Sequence, residues 1–245
     1  MASRDRLRLA FFISWRKLLA SRVNVLVGCG FLFLLAFLWI KDSFRVSSGA
    51  FLYLFPYLFL FFSQDMMGDE IRSGALENVI FVSGRFRVYL LSKNALVAAC
   101  GLGIASVLFS AIALYGSLTR QFETHSFGLF ATGILVGAYY VALAGFLSLF
   151  FRAGSNVLAV LLGQIAIFVA LLFSASQRSG LAARLTDASV PGMGARLEFL
   201  GVSLVLPNII IGRRSWLNLL GLGAMTGLLF ALQSWKIGSL ELRKK

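Results

Sequence analysis

Long apolar stretches, separated by shorter polar ones, follow each other along the whole chain. A helix advances by about 1.5 Å per residue, so it needs about 20 apolar residues to cross a bilayer. The pattern therefore predicts an all-α polytopic membrane protein, with a single transmembrane domain over residues 1–245 and a kink near Pro56. The six predicted spans are residues 23–40, 50–67, 88–116, 127–151, 156–174 and 216–235.

Two further segments are partly apolar but unsuited to crossing the membrane. Residues 1–22 mix Phe and Leu with Arg and Lys, and helical winding places most apolar side chains on one side. This pattern predicts an interfacial helix with Trp15 at headgroup depth. Residues 175–215 include an apolar stretch that is too short to span and is broken by Pro207. We predict that this outer segment is helical and re-entrant, dipping into the outer leaflet and returning.

Composition and charge support the same class of protein. Hydrophobic residues make up 59% of the chain and charged residues only 13%, against about 25% charged in soluble domains. The net charge of +13 comes from basic residues that flank the apolar stretches, which argues against nucleic-acid binding and for a lipid bilayer as the surroundings. The excess of basic residues favours a cytoplasmic N-terminus. With six spans, both termini are predicted to be cytoplasmic, in the inner membrane.

Several small side chains lie inside the apolar stretches. Cys29 and Cys100 are isolated there, so we expect neither a disulfide nor a metal site from them. Gly133 and Gly137 in the fourth span have a spacing that allows helices to approach closely. The general abundance of glycine in membrane helices explains the same pattern, and both interpretations stay open at this point.

Residues 68–85 interrupt the apolar pattern between the second and third spans. Asp69 and Glu70 suit the N-terminus of a helix, and Leu76 and Ile80 fall on one face of it. Ser83-Gly84 then ends the helix. A short amphipathic helix at the membrane surface cannot bury its apolar face alone, so we predict that it binds a groove on a partner protein.

At these residues the chain resembles the permease subunits of type-2 ATP-binding-cassette exporters. That family carries an acid, a glycine-small-leucine-glutamate unit, an aliphatic pair, an arginine, and a lysine opening the next span. Ala75 replaces the usual threonine or serine, and Ser83-Gly84 replaces the usual proline. The matching residues are Glu70, Gly74-Ala75-Leu76-Glu77, Val79-Ile80, Arg85 and Leu91-Ser92-Lys93.

The resemblance implies that residues 68–85 are a cytoplasmic coupling helix docked on a separate ATPase subunit, with Lys93 anchoring the helix end. It also implies a second permease subunit, identical or different. ATP and Mg²⁺ would belong to the ATPase, because this chain contains no G-x-x-x-x-G-K-[ST] motif. The chain would be a transport subunit rather than an enzyme, without a cofactor of its own. The implied docking residues are Glu70, Gly74, Leu76, Glu77, Ile80, Phe81 and Arg85.

Few polar side chains reach membrane depth inside the predicted spans. Gln164 is near the middle of the fifth span, where it would line a path or form a hydrogen bond between helices. Tyr53 and Tyr57 belong to an aromatic surface suited to a hydrophobic or amphipathic cargo. An ion-coupled carrier needs a charged relay at the membrane midplane, so its absence from the spans favours an external energy source.

Two other functions remain possible from the sequence. Asp65, Asp69 and Glu70 cluster at the inner end of the second span, and clustered carboxylates bind Mg²⁺ in membrane enzymes of lipid metabolism. A second carboxylate group from another span, which such a metal site needs, is missing, so solvated helix caps are the preferred interpretation. The third possibility is a scaffold subunit without a path of its own.

Overall fold

The computed structural model describes residues 12, 22–41, 43–64, 86–151, 154–176, 192–212 and 216–242. Every regular element in these ranges is an α-helix, which confirms the prediction of an all-α protein for this part of the chain. In chain order the helices are α1 Arg22–Lys41, α2 Phe44–Leu54, α3 Pro56–Phe62, α4 Phe86–Leu118, α5 His125–Leu147, α6 Ser155–Ser176, α7 Met193–Val205, α8 Ile209–Gly212 and α9 Trp216–Leu242.

Four of these helices, α4, α5, α6 and α9, are long and apolar enough to cross a membrane. A fifth candidate is the pair α2 and α3, if the two helices form one broken span. Helix α1 has 20 residues, and among the described ones the stretch Gly28–Ile40 is apolar. The described residues thus hold four or five candidate spans, whereas the sequence pattern predicts six. The span predicted at residues 23–40 stays a prediction.

The second apolar helix begins earlier than predicted and bends where proline interrupts it. Ser43 caps the start of α2 by accepting a hydrogen bond from the Val46 backbone N–H at 3.3 Å. α3 begins at Pro56, which has no N–H to continue the hydrogen bonds of α2, and the two helix axes differ by 43°. The bend therefore falls at the position where the sequence predicts a kink.

Glycines on α4 and α5 pack against aromatic rings of α2, of α3 and of Phe55, which lies between those two helices. A Cβ added at Gly133 would lie 2.5 Å from the Phe55 ring, and one at Gly137 would lie 2.6 Å from the Phe59 ring. The spacing of Gly133 and Gly137 therefore serves close helix packing. Because both residue numbers rise together, α5 runs parallel to α2 and α3.

The other long helices alternate in direction around α5. Gly101 of α4 also packs against Phe59, and Gly116 packs against Phe44, so α4 is antiparallel to α2 and α3. α6 is antiparallel to α5, and α9 is parallel to it, with Lys236 near Phe150. We call the end where α3, α5 and α9 finish the inner end, after the side that the charge pattern predicts; the opposite end is the outer end.

Helix α5 is the centre of the bundle. Half of its residues are buried, compared with 22–28% of the span residues in α4, α6 and α9. It packs against α9, α3 and α4, and Phe130 on α5 stacks on Phe109 of α4 with ring centroids 4.2 Å apart. The outward surfaces of the surrounding helices are apolar, as lipid contact requires. Leu158, Leu162, Ile165, Val169 and Leu172 are all exposed on α6.

Candidate functional site

Polar side chains from three helices meet the break between α7 and α8 in the middle of the bundle. The Tyr57 hydroxyl of α3 donates to Gln164 Oε1 of α6 at 2.9 Å. Gln164 Nε2 donates to the Tyr140 hydroxyl of α5 at 2.8 Å and to the Val205 carbonyl at 3.0 Å. Gln164 therefore ties two neighbouring helices to the end of α7.

Further hydrogen bonds complete this group. The Tyr140 hydroxyl donates to Asn208 Oδ1 at 2.6 Å, and Asn208 Nδ2 donates to the Tyr53 carbonyl of α2. The Tyr139 hydroxyl donates to the Leu204 carbonyl at 2.7 Å. We call this group the tyrosine–amide cluster. Its members are Tyr53, Tyr57, Tyr139, Tyr140, Gln164 and Asn208.

The break itself explains why polar groups gather here. α7 ends at Val205, and Pro207 lies in the short connection before α8. The last carbonyls of a helix have no donors within that helix, and lipid offers none. Tyr139 and Gln164 supply those donors to the carbonyls of Leu204 and Val205. The cluster thus allows an irregular backbone to exist among apolar helices.

Two uncharged side chains at the centre of the cluster are buried. Tyr140 is fully buried and Gln164 is 4% exposed, so each of their hydrogen bonds is shielded from competing solvent. The rings of Tyr57 and Tyr140 stack with centroids 5.4 Å apart and planes inclined by 29°. Such an arrangement can hold the α7–α8 break in place.

No metal-binding group was found in the part of the chain that the structure describes. In these ranges no three His, Cys, Asp or Glu side chains lie close enough together to hold an ion. The three acids of the alternative metal site, Asp65, Asp69 and Glu70, lie outside the described residues.

The structure brings together three of the residues that the sequence singles out. Gln164 and Tyr57 bond directly, and Tyr53 joins them through Asn208. Lys93 lies apart from them, near the inner end of α4, where it is 6% exposed and its Nζ is 5.8 Å from the centre of the Tyr89 ring. The implied docking residues lie outside the described residues; these are Glu70, Gly74, Leu76, Glu77, Ile80, Phe81 and Arg85.

Sequence reasoning missed Tyr139, Tyr140 and Asn208. A signal for them existed, because two adjacent tyrosines in an apolar span must place their hydroxyls against acceptors. Asn208 directly follows Pro207, where a helix break exposes backbone groups. Which of these groups would meet could not be read from the sequence, since they are far apart along the chain.

Tryptophans mark both ends of the span in α9. Trp216 is 83% exposed and Trp235 is 69% exposed. At about 1.5 Å per residue the two lie about 28 Å apart along the helix, close to the thickness of a hydrocarbon core. Tryptophan is enriched at both interfaces of a bilayer. Together with the apolar outer surfaces, this spacing places the chain in the class of helical membrane proteins.

Comparison with known proteins does not identify a particular family within the class of helical membrane proteins. No family model, no curated protein and no solved structure matches the chain.

Proposed function

We propose that the chain is the membrane permease subunit of an ATP-driven exporter, coupled to a separate ATPase subunit. The observation that carries the proposal is the motif from Glu70 to Lys93, which begins after α3 in the sequence and ends inside α4. An inner-membrane protein with six spans and both termini in the cytoplasm would present this motif to a cytoplasmic ATPase. ATP and Mg²⁺ would bind in that partner.

The geometry of α7 and α8 supports the layout that the resemblance implies. α6 ends and α9 begins at the outer end, so the segment between them starts and finishes on one side. Its break at Val205 and Asn208 nevertheless contacts Gln164 and Tyr140, both near the middle of their helices. A re-entrant segment that dips from the outer leaflet to mid-depth has this form.

The predicted coupling helix at residues 68–85 would transmit force because the end of α3, which precedes it in the chain, is hydrogen-bonded to other spans. At the end of α3, the Ser63 carbonyl accepts from Asn156 Nδ2 at 3.2 Å, and the Gln64 carbonyl accepts from the Gly154 N–H at 3.1 Å. Asn156 also donates to the Ala144 carbonyl of α5 at 3.1 Å. A displacement of the α3 end would therefore be passed to α5 and α6 together.

Docking on the ATPase would combine apolar anchors with ion pairs. Leu76, Ile80 and Phe81 would fill a cleft of the ATPase, and Glu77 and Arg85 would determine the register of the helix by charge. A single chain of this size cannot enclose a large path, so two permeases are expected to work with two ATPases. A hydrophobic or amphipathic cargo would pass near Tyr53, Tyr57 and Gln164.

The proposal is tested by co-purification of the ATPase with Glu77→Lys. Reversing this charge should lower the recovered ATPase about tenfold or more, because a like-charge contact costs an interface several kcal/mol. Membrane insertion should be unchanged. The matched control is Glu198→Lys, the same change at an exposed residue of α7 near the outer end, which should retain wild-type recovery.

Two results would overturn the docking role. Equal ATPase recovery with Glu77→Lys and with wild type would show that residues 68–85 do not bind the ATPase. If no ATPase co-purifies with the wild-type protein from its native membrane, the proposed exporter function is wrong.

A further inference from the structure

Two buried amide side chains meet near the inner end of the bundle, away from the tyrosine–amide cluster. Asn94 Nδ2 of α4 donates to Gln233 Oε1 of α9 at 3.2 Å. Asn94 is 4% exposed and Gln233 is fully buried. Within the described residues, the other polar atom of each amide, Asn94 Oδ1 and Gln233 Nε2, has no hydrogen-bond partner.

This pairing is incomplete, and among the described residues the same holds for one other buried amide atom, Asn156 Oδ1. Two facing amides can exchange two hydrogen bonds, but this pair exchanges one. A buried polar atom without a partner costs about 1–3 kcal/mol, and surrounding lipid supplies no replacement. In the tyrosine–amide cluster, by contrast, both polar atoms of Gln164 and both of Asn208 are bonded.

The orientation assigned to the amides does not affect this conclusion. Nitrogen and oxygen of an amide are exchanged by rotating the group by half a turn. If both amides rotate, the single hydrogen bond re-forms in the opposite direction, and one donor and one acceptor again remain. A single group that completes the pair must therefore both donate and accept. A carboxylate or phosphate only accepts, and an ammonium only donates.

We propose that α4 and α9 form a binding site for one uncharged hydroxyl group, which donates to Asn94 Oδ1 and accepts from Gln233 Nε2. The hydroxyl belongs to water or to the sugar-type headgroup of an amphiphile. Both atoms are buried, so a headgroup hydroxyl would reach them only if α4 and α9 separate at the inner end. This site is distinct from the docking segment and does not depend on the proposed transport role.

The experiment uses the full-length protein with ¹⁵N-labelled Asn and Gln side chains in dioleoylphosphatidylcholine bilayers, whose lipid has no hydroxyl. Solid-state NMR measures magnetisation transfer from hydroxyl protons to the side-chain amide of Gln233. The signal of this amide is assigned by its absence from the spectrum of the Gln233→Leu variant. The measurement is then repeated after adding the glycolipid diglucosyl-dioleoylglycerol. The thermal midpoint Tm is determined with and without this glycolipid. The control is the double variant Asn94→Leu/Gln233→Leu, in which no amide is left unpaired.

Each outcome decides the proposal. Transfer in phosphatidylcholine alone identifies water as the occupant. Transfer that needs the glycolipid, with a rise in Tm of about 3 °C for wild type and none for the double variant, identifies a headgroup hydroxyl. The absence of both transfer and a lipid-dependent Tm overturns the site. So does a double variant that shows the same glycolipid shift as wild type.

Discussion

Gln164 is the residue on which the tyrosine–amide cluster converges. Its amide oxygen accepts from Tyr57, while its nitrogen donates to Tyr140 and to the Val205 carbonyl. Burying a glutamine amid apolar residues costs free energy unless its polar atoms are bonded. The bond to the Val205 carbonyl also supplies a donor to the end of α7. The Gln164 side chain therefore satisfies its own polar atoms and one backbone carbonyl at the α7–α8 break.

At the residue scale, Gln164→Leu tests the cluster. The substitution leaves the Tyr57 hydroxyl and the Val205 carbonyl without their buried partner, at about 1–3 kcal/mol for each group. For the two groups together we expect Tm in detergent to fall by about 6–18 °C. Gln121→Leu, the same substitution at an exposed position after α4, should leave Tm unchanged. Equal Tm values for the two variants would contradict a stabilising role of the cluster.

At the element scale, the contacts between α2, α3, α4 and α5 depend on glycine. Phe59 lies between Gly101 of α4 and Gly137 of α5, so one ring occupies space that side chains on two helices would otherwise fill. Close approach increases the van der Waals contact on which helix association in lipid depends. The glycines therefore determine how near α3 lies to the centre of the bundle.

Two alanine substitutions in the same helix test this packing. A Cβ at Gly101 would lie 2.8 Å from the Phe59 ring, whereas a Cβ at Gly103 meets nothing within 4 Å. Overpacking of this kind costs about 1–3 kcal/mol, so Gly101→Ala should lower Tm by about 3–9 °C. Gly103→Ala should leave Tm near that of wild type. A Gly103→Ala protein as unstable as Gly101→Ala would point to helix flexibility instead of ring packing.

At the scale of the whole molecule, the side of the membrane that residues 68–85 occupy decides the proposed function. α3 ends and α4 begins at the same end of the bundle, so this segment leaves and returns on one side. The distribution of basic residues predicts that the side is cytoplasmic. An ATPase reaches the segment only under that topology.

Cysteine labelling measures the orientation directly. In a Cys29→Ala/Cys100→Ala background, Ser83→Cys should react with a membrane-impermeant maleimide only after the cells are permeabilised. Thr119→Cys, at an exposed position beyond the outer end of α4, should react in intact cells. Labelling of Ser83→Cys in intact cells would place the segment outside and exclude docking on a cytoplasmic ATPase.

Much of the fold follows from local patterns. Apolar length predicts α4, α5, α6 and α9, and Pro56 predicts the bend between α2 and α3, because both effects act within one stretch of chain. The start of α2 was misplaced, since Ser43 extends the helix by a local cap that hydropathy alone does not reveal. Within the candidate site, Gln164 could be singled out from the sequence because it is a polar residue near the middle of an apolar stretch.

What the sequence by itself determined is the helical membrane class and the approximate position of the long helices, and it predicts an amphipathic helix at residues 68–85. Only the tertiary structure decided that Tyr140, Gln164 and Asn208 meet, and that Asn94 and Gln233 form a half-completed pair. The physical reason is that hydrophobic length acts along the chain, whereas the partner of a buried polar group is chosen by how separate helices pack.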